Sequence, residues 1–412
     1  MAAAGCLPWA VRASTTVRWL HIEQNSVVAA FYEAAARAFE AATPGVKVHP
    51  QFLENESFKR KLTTLLQSRD RPHVLYSWGG GALREQVRAG VIEDLTASLD
   101  QGGWRQQYSP ISLLPYTVNG RIYGVPMLTS LVGFFYSKPL FAKAGVTAEA
   151  IRTWDDLLAA VRKLQSAGIT PMVAGGADKW TLMFYWAFLA LRLGGRAALE
   201  LAMQGKTVDG FAGPSFVRAG ELFRQLTDMR PFQPGFLAAS YPQSAGQFGD
   251  GRGAMILMLD QLRTAMQSNA ANKVGVPDAD LGWFPFPTVP GGKGHADDTM
   301  GGMNGWLVTK GAPREAVAFL RFFLSPAWQR QAGESGWFIP VTPEARAALN
   351  KPLLQRMAEA VGRSPYHQLF LDQLLGPSAG AVLNDVAADL ASQRLTPKAA
   401  ADRVQDALRQ TL

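Results

Sequence analysis

Five histidines, His21, His49, His73, His295 and His367, are the side chains best suited to hold a metal or move a proton near neutrality. No two of them fall at metal-ligand spacing on one predicted helix, so neither a metal nor a cofactor is expected. A serine nucleophile elbow needs G-x-S-x-G, and Gly333-Glu334-Ser335-Gly336 lacks that spacing. Cys6, close to the first residue, is a poor nucleophile candidate. Gly79-Gly80-Gly81 lies between a strand and a helix, where backbone N–H groups can face an anion. No Gly-Lys-Ser/Thr follows, and the spacing is not G-x-G-x-x-G. The run therefore reads as a tight turn, or as a place where backbone approaches a ligand closely. Paired carboxylates can hydrolyse a glycoside, but their separation is fixed in space rather than in sequence. Asp155-Asp156 has a sufficient role at a helix start, and Asp297-Asp298 lies in a polar loop. Binding is the chemistry that remains.

The elements that would position a binding site follow from composition and periodicity. A chain of 412 residues, 48% apolar and 18% charged, is globular and long enough for two lobes of roughly 150–200 residues each. The net charge of +8 is spread thinly; its densest run, Lys59-Arg60-Lys61, is divided between helix faces, which argues against nucleic acid. With a single cysteine no internal disulfide forms. Leu182 to Leu191 is the most apolar run and stops at Arg192, well short of a membrane span, so a buried helix is expected. Eleven tryptophans are many for this length, and some are expected on contact surfaces.

Val17 to Ile22 alternates as a strand, and Val28, Phe31, Tyr32, Ala35 and Phe39 share one face of a following helix. Val46–Phe52 reads as a second strand, Phe58, Leu62, Leu65 and Leu66 as a second helix, and His73–Tyr76 as a third strand. This β-α-β-α-β order predicts a parallel sheet covered on both faces. Asn119-Gly120 between short β-rich segments predicts a two-residue hairpin. Further strands are expected at Leu131–Tyr136 and Gly253–Met258. Helices are expected to open at Thr153-Trp154-Asp155-Asp156 and at Pro313, and the chain from Leu383 onward should be helical.

Several segments, in this order, carry a resemblance. They are Pro72–Trp78, Val87-Arg88-Ala89-Gly90-Val91-Ile92-Glu93-Asp94-Leu95, Asn119–Pro126, Phe135–Phe141, Thr153–Leu157, Phe248–Met255 and Met300–Trp306. The chain resembles family 1 extracellular solute-binding proteins, the maltose-binding-protein-like group of bacterial sugar ABC importers. The resemblance implies an α/β, two-lobed periplasmic-binding-protein fold of type II with the ligand cleft between lobes. Residues 15–125 with 299–340 would form the N-terminal lobe and 126–298 with 341–412 the C-terminal lobe, with crossings near Pro126, near Thr299 and after Pro340. Residues 1–14 are expected to be a leader or signal remnant. Within them Ala3-Ala4-Gly5-Cys6 is similar to a lipoprotein site, and Ala10-Val11-Arg12-Ala13 to a cleavage site.

The resemblance further implies a periplasmic or extracytoplasmic monomer, open to lipid anchoring through Cys6. It would capture a mono- to oligosaccharide and deliver it to ABC permease subunits. An extracellular carbohydrate-active enzyme is the alternative; another is a binding protein for a non-sugar solute such as a polyamine. A highly charged ligand would call for clustered charges at the strand ends, which here read as mostly neutral and aromatic.

Ligands of such lobes meet the C-terminal ends of strands. Glu23 and Gln24 follow the first strand and suit sugar hydroxyls; equally, they form a solvated loop in which Asn25 or Ser26 caps the helix. Trp78 occupies the family's usual stacking position after the third strand. Thr129 and Ser130 match a position that often carries a polar contact. Trp180 matches a second-lobe stacking position, and Asp178 beside it either binds ligand or caps a helix. Asp260 stands where many relatives have an aromatic residue. Gly302, Met303 and Asn304 lie on the return segment, and Trp337 either covers the cleft or fills the first lobe. Tyr241 and Trp283 read as packing.

Overall fold

The first strand, β1 (Thr15–His21), buries Trp19 and Leu20 on opposite faces, because strands pair on both of its edges and helices cover the sheet. These observations come from a computed structural model that describes residues 14–411, so Cys6 and all but the last residue of the expected leader lie outside the described residues. A helix follows at Ser26–Ala42, capped by Asn25, whose Oδ1 accepts the Val27 and Val28 N–H groups at 3.0 and 3.2 Å. Then come β2 (Val46–Phe52), a helix at Asn55–Gln67, and β3 (Val74–Ser77). The three strands are parallel, as the alternating order requires.

A small hairpin, β4 (Thr117–Val118) and β5 (Arg121–Ile122), turns at Asn119 and Gly120 with φ of 51° and 77°. Positive φ at both turn residues is the geometry that matches the right-handed twist of paired strands. Next, β6 (Gly124–Thr129) runs straight through Pro126, so the expected crossing there falls inside the first sheet. The chain changes sheets at Ser130-Leu131 and enters β7 (Val132–Ser137).

The second sheet is completed by β8 (Met172–Val173), β9 (Met255–Leu259) and β10 (Leu281–Phe284), in the order β10-β7-β9-β8. Its covering helix Trp154–Ser166 opens with a capping box: Thr153 Oγ1 accepts the Asp156 N–H, and Asp156 Oδ2 accepts the Thr153 N–H. Trp180–Met203 is helical on either side of Gly195, which stands at φ 70° and ψ 179°. Leu182 through Leu191 are at most 1% exposed, the buried helix that its composition predicts.

The return passes through β11 (Thr299–Gly301) into β12 (Met303–Val308), which inserts antiparallel between β3 and β6. With β13 (Ile339–Pro340) on its edge, the first sheet has the order β13-β6-β12-β3-β1-β2, a mixed sheet rather than the wholly parallel one expected from its first three strands. Afterwards β14 (His367–Leu369) pairs with β11, and the closing helices Pro352–Arg363, Pro377–Ala391 and Pro397–Arg409 bury Met357, Leu383 and Val404 in the second core.

There are two separate cores. The first centres on Trp19, whose ring lies 5.0 Å from Tyr32, 5.2 Å from Trp306 and 4.8 Å from Phe323. The glycine run 79–81 serves packing. Gly79 adopts φ 67°, and Gly81 lies against the backbone of Leu374 and Gly376, where a side chain would collide. It is a close approach of backbone to backbone.

The crossings are equally tight. Ser130 N–H donates to the Gly302 carbonyl at 2.8 Å, Phe370 N–H donates to the Gly301 carbonyl at 2.8 Å, and a Cβ on Gly301 would overlap the Ser130 carbonyl oxygen. Gly301→Ala should therefore force backbone apart and cost about 1–3 kcal/mol of stability, read from the midpoint of chemical denaturation. An unchanged midpoint would show that the crossing yields freely.

Candidate functional site

The ends of β1 and β3, the start of the Asn55–Gln67 helix, and the segments around Trp180, Tyr241, Gln261 and Phe370 converge on one cleft. It encloses about 1310 Å³, counting space open to solvent at its mouth. Its first-lobe wall presents Tyr76 and Trp78, and its second-lobe wall presents Trp180, Phe184 and Tyr241. Trp78 is braced by Tyr76 at 5.3 Å and Phe58 at 5.7 Å, both nearly perpendicular to it. Trp180 is braced edgewise by Tyr241 at 5.2 Å and Phe184 at 5.5 Å, and Phe184 stacks on Phe370 at 5.7 Å. Such bracing fixes ring orientation before any ligand arrives.

The polar groups of the cleft are only partly satisfied. Among the described residues, buried side-chain atoms with no hydrogen-bond partner include Trp180 Nε1, the Tyr241 hydroxyl and Asn304 Oδ1. All three residues line the cleft. They supply a donor, a donor-acceptor and an acceptor. Glu23 Oε1 accepts the Asn25 N–H at 2.7 Å, and Asp178 Oδ2 accepts the Tyr241 N–H at 2.6 Å. Burial pushes the Glu23 carboxyl up to about 7 and also raises Asp178. His21, buried at the end of β1, is lowered to about 4 and stays neutral at pH 7.

Polar side chains also bridge the walls. Asn25, on the first lobe, donates through Nδ2 to the Thr264 carbonyl at 3.1 Å and to Ser268 Oγ at 2.9 Å on the second.

Of the residues singled out from sequence, Glu23, Gln24, Trp78, Asp178, Trp180, Asn304 and Trp337 line the cleft. Asp178 does not cap the helix beginning at Trp180; it holds the first N–H of the helix Tyr241–Gly249. Trp337 combines both readings, since it borders the cleft and meets Phe31 edge-on at 5.2 Å.

Ser130, Asp260, Gly302 and Met303 are not brought to the cleft. They are buried at the crossings: Ser130 Oγ bonds Gln261, Asp260 Oδ1 accepts the Leu131 N–H at 3.0 Å, Gly302 packs against Phe370, and the sulfur of Met303 meets Thr129 Oγ1 at 3.3 Å. The strand ends where they sit point along the passage between lobes, a direction that sequence spacing does not encode. Tyr241, read as packing, instead faces the cleft, whereas Trp283 packs in the second core over Gly133.

Tyr76, Lys59, Phe184, Gln261, Phe370 and Asp372 also line the cleft. Tyr76 sits two residues before Trp78, the period-2 spacing that puts both on one face of the strand end. Phe370 and Asp372 come from a segment far downstream of the second-lobe strands, just after β14, with no local signal. The lining is mostly neutral and aromatic, as expected, with Glu23, Glu54, Lys59, Asp178 and Asp372 as its charged members.

Residues 23–330 match the model of a family described as bacterial extracellular solute-binding protein. A putative binding protein of Brucella abortus is 23% identical over 334 residues, covering 80% of this chain and 76% of its own. The multiple sugar-binding protein of Streptococcus mutans is 23% identical over 282 residues, or 66% of this chain and 63% of its own. Among solved structures, a chitin oligosaccharide binding protein superposes with a TM-score of 0.87 at 25% identity, over 96% of this chain and 98% of that one. A binding protein in complex with raffinose has the same fold, with a TM-score of 0.76 at 20% identity over 96% and 99% of the two chains.

The crossing carboxylate gives a measurable signature. Burial raises Asp260 to about 7, and its Oδ2 is buried without a partner. Between its ordinary value and about 7 the folded state holds a proton that the unfolded state has lost, so wild-type stability falls as pH rises through this window. Asp260→Asn stays neutral throughout. The melting temperature of the variant minus that of wild type should therefore climb steadily from pH 4 to pH 8, by an amount equivalent to roughly a few kcal/mol. A flat difference would mean that the carboxylate titrates normally.

Proposed function

The chain belongs to the bacterial extracellular solute-binding proteins, and from that premise we propose that it captures a mono- to oligosaccharide in the cleft between its lobes and delivers it to the permease subunits of an ABC importer. The observation that carries this reading is a cleft walled by aromatic rings whose lining residues Trp180, Tyr241 and Asn304 each carry a buried polar atom without a partner. A pyranose has apolar C–H faces and a rim of hydroxyls. Trp78 and Trp180 suit the faces, while the unpartnered atoms, with Glu23 and Asp178, suit the rim. Each buried polar group left unmade costs about 1–3 kcal/mol, so a polyhydroxylated ligand gains what an apolar one does not.

The names of several relatives agree with this. One is the multiple sugar-binding protein of Streptococcus mutans, another an ABC transporter extracellular-binding protein of Pyrococcus horikoshii, 22% identical over 260 residues. We read the protein as a monomer acting outside the cytoplasm, with Cys6 as a lipid attachment point. Residues 15–129 with 303–340 would move as one lobe and the rest of the fold as the other, closing about the crossings. Binding rather than catalysis fits the acids of the cleft, because Glu23, Glu54, Asp178 and Asp372 each hold a backbone N–H.

A thermal-shift screen over saccharides tests the reading, since a ligand that binds only the folded state raises its melting temperature. Silence across all saccharides, with a shift from a charged non-sugar solute, would sink it; sugar breakdown during incubation would favour an enzyme. With the responsive sugar, Trp78→Ala and Trp180→Ala should each weaken binding by about 1 kcal/mol or more, roughly fivefold in Kd by calorimetry. Unchanged affinity would remove that ring from the site.

A further inference from the structure

The whole chain carries a net charge of +8, yet the cleft gathers four carboxylates, Glu23, Glu54, Asp178 and Asp372, against the single ammonium of Lys59. His21 adds no charge there at neutral pH, because burial lowers it to about 4. These carboxylates can accept the hydroxyls of a neutral ligand, and together they also favour a cation. The position of Lys59 is informative in the same direction. Its Nζ lies 5.5 Å from the ring centroid of Trp78 and 5.9 Å from that of Trp180, so one ammonium stands over a tryptophan from each lobe. A cation within about 6 Å of an indole face is held by the ring quadrupole, and more strongly when water is excluded. The slot between the stacking rings is thus already shaped for an ammonium group.

Lys59 is weakly held in this slot. It sits on a flexible stem, its side chain is about a quarter exposed at 25%, and its ion pair is with Glu56, one turn back, at 3.1 Å. That pair persists if the stem swings outward. We propose that the ligand is an amine-bearing saccharide, an amino sugar or an oligosaccharide containing one, whose protonated amine takes the place between Trp78 and Trp180 that Lys59 occupies. This rests on the saccharide reading above and narrows it. In Glu23 and Asp178 a carboxylate oxygen holds a backbone N–H at 2.7 and 2.6 Å, which leaves second oxygens with room for a further donor. Those second oxygens are acceptors for N⁺–H as well as for O–H donors. Burial raises Glu23 to about 7 and raises Asp178, and an arriving cation offsets that cost where a hydroxyl does so less.

Matched ligands isolate the charge. Calorimetry would compare glucosamine with glucose and N-acetylglucosamine, galactosamine with galactose, and β-1,4-linked glucosamine oligomers with their N-acetylated and cellulose-derived counterparts. The protonated member of the pairs that bind should do so at least about fivefold more tightly, and the advantage should shrink in high salt. Lys59→Met, which keeps the stem and removes the competing ammonium, should widen the ratio further. Equal affinities, or a preference for the neutral members, would overturn the inference and leave the saccharide reading intact. If no saccharide binds while spermidine does, the saccharide reading itself falls, and this proposal with it.

Discussion

At the passage between the lobes the Ser130 carbonyl lies against Gly301 with no room for a side chain, and the neighbouring N–H and C=O groups of Ser130, Gly302 and Phe370 pair across the gap. Everything else depends on this backbone-to-backbone contact. It sets β6 beside its partner β12 on one face and holds β11, paired with β14, close to β7 on the other, so segments far apart in the chain meet at the passage. Buried backbone groups need partners, and here each crossing strand supplies them for the other. The two cores can then be packed independently, the first around Trp19 and the second around the Trp180–Met203 helix. The crossing strands, the packing of Gly81 on the backbone of Leu374 and Gly376, and the Asn25 contact together fix how one faces the other.

The cleft inherits its character from that arrangement. Its walls are the open ends of two sheets, where side chains leave the strands and no further layer covers them. Rings on these ends are packed from behind by their own lobe, as Phe58 and Tyr76 pack Trp78, and remain free toward the other lobe. Carboxylates that hold loop N–H groups at the same ends are drawn into a half-dry space as the lobes approach. Raised proton affinity at Glu23 and Asp178 follows from loop architecture and burial together.

Much of the fold was legible because it is written locally. The period-2 pattern of Val17–Ile22, the capping signature at Thr153–Asp156 and the turn at Asn119-Gly120 each specify a piece of backbone by short-range sterics and hydrogen bonds. Trp78 and Trp180 were legible too, since each stands at a landmark that sets the end of a strand or the start of a helix. The remaining lining was not. Asp260 and Asn304 are both polar residues at sheet positions near a crossing, yet one faces the passage and the other the cleft. Which way each points depends on the bulge at Asn304-Gly305 and on the neighbouring strand, neither of which has a sequence signature. Phe370 and Asp372 reach the cleft only because the chain returns there after its last strand in the first sheet.

Asn25 divides its amide between two tasks, with the oxygen ending a helix and the nitrogen reaching the opposite lobe. Separation of the lobes releases the nitrogen to water while the oxygen keeps its place, so the helix start is the same in the parted and the approached arrangements. A hinge motion of the kind proposed would leave this helix start folded. Occupancy of the cleft would then be expressed as a change of angle between the lobes, a geometric signal that a partner touching both rims could read without contacting the ligand.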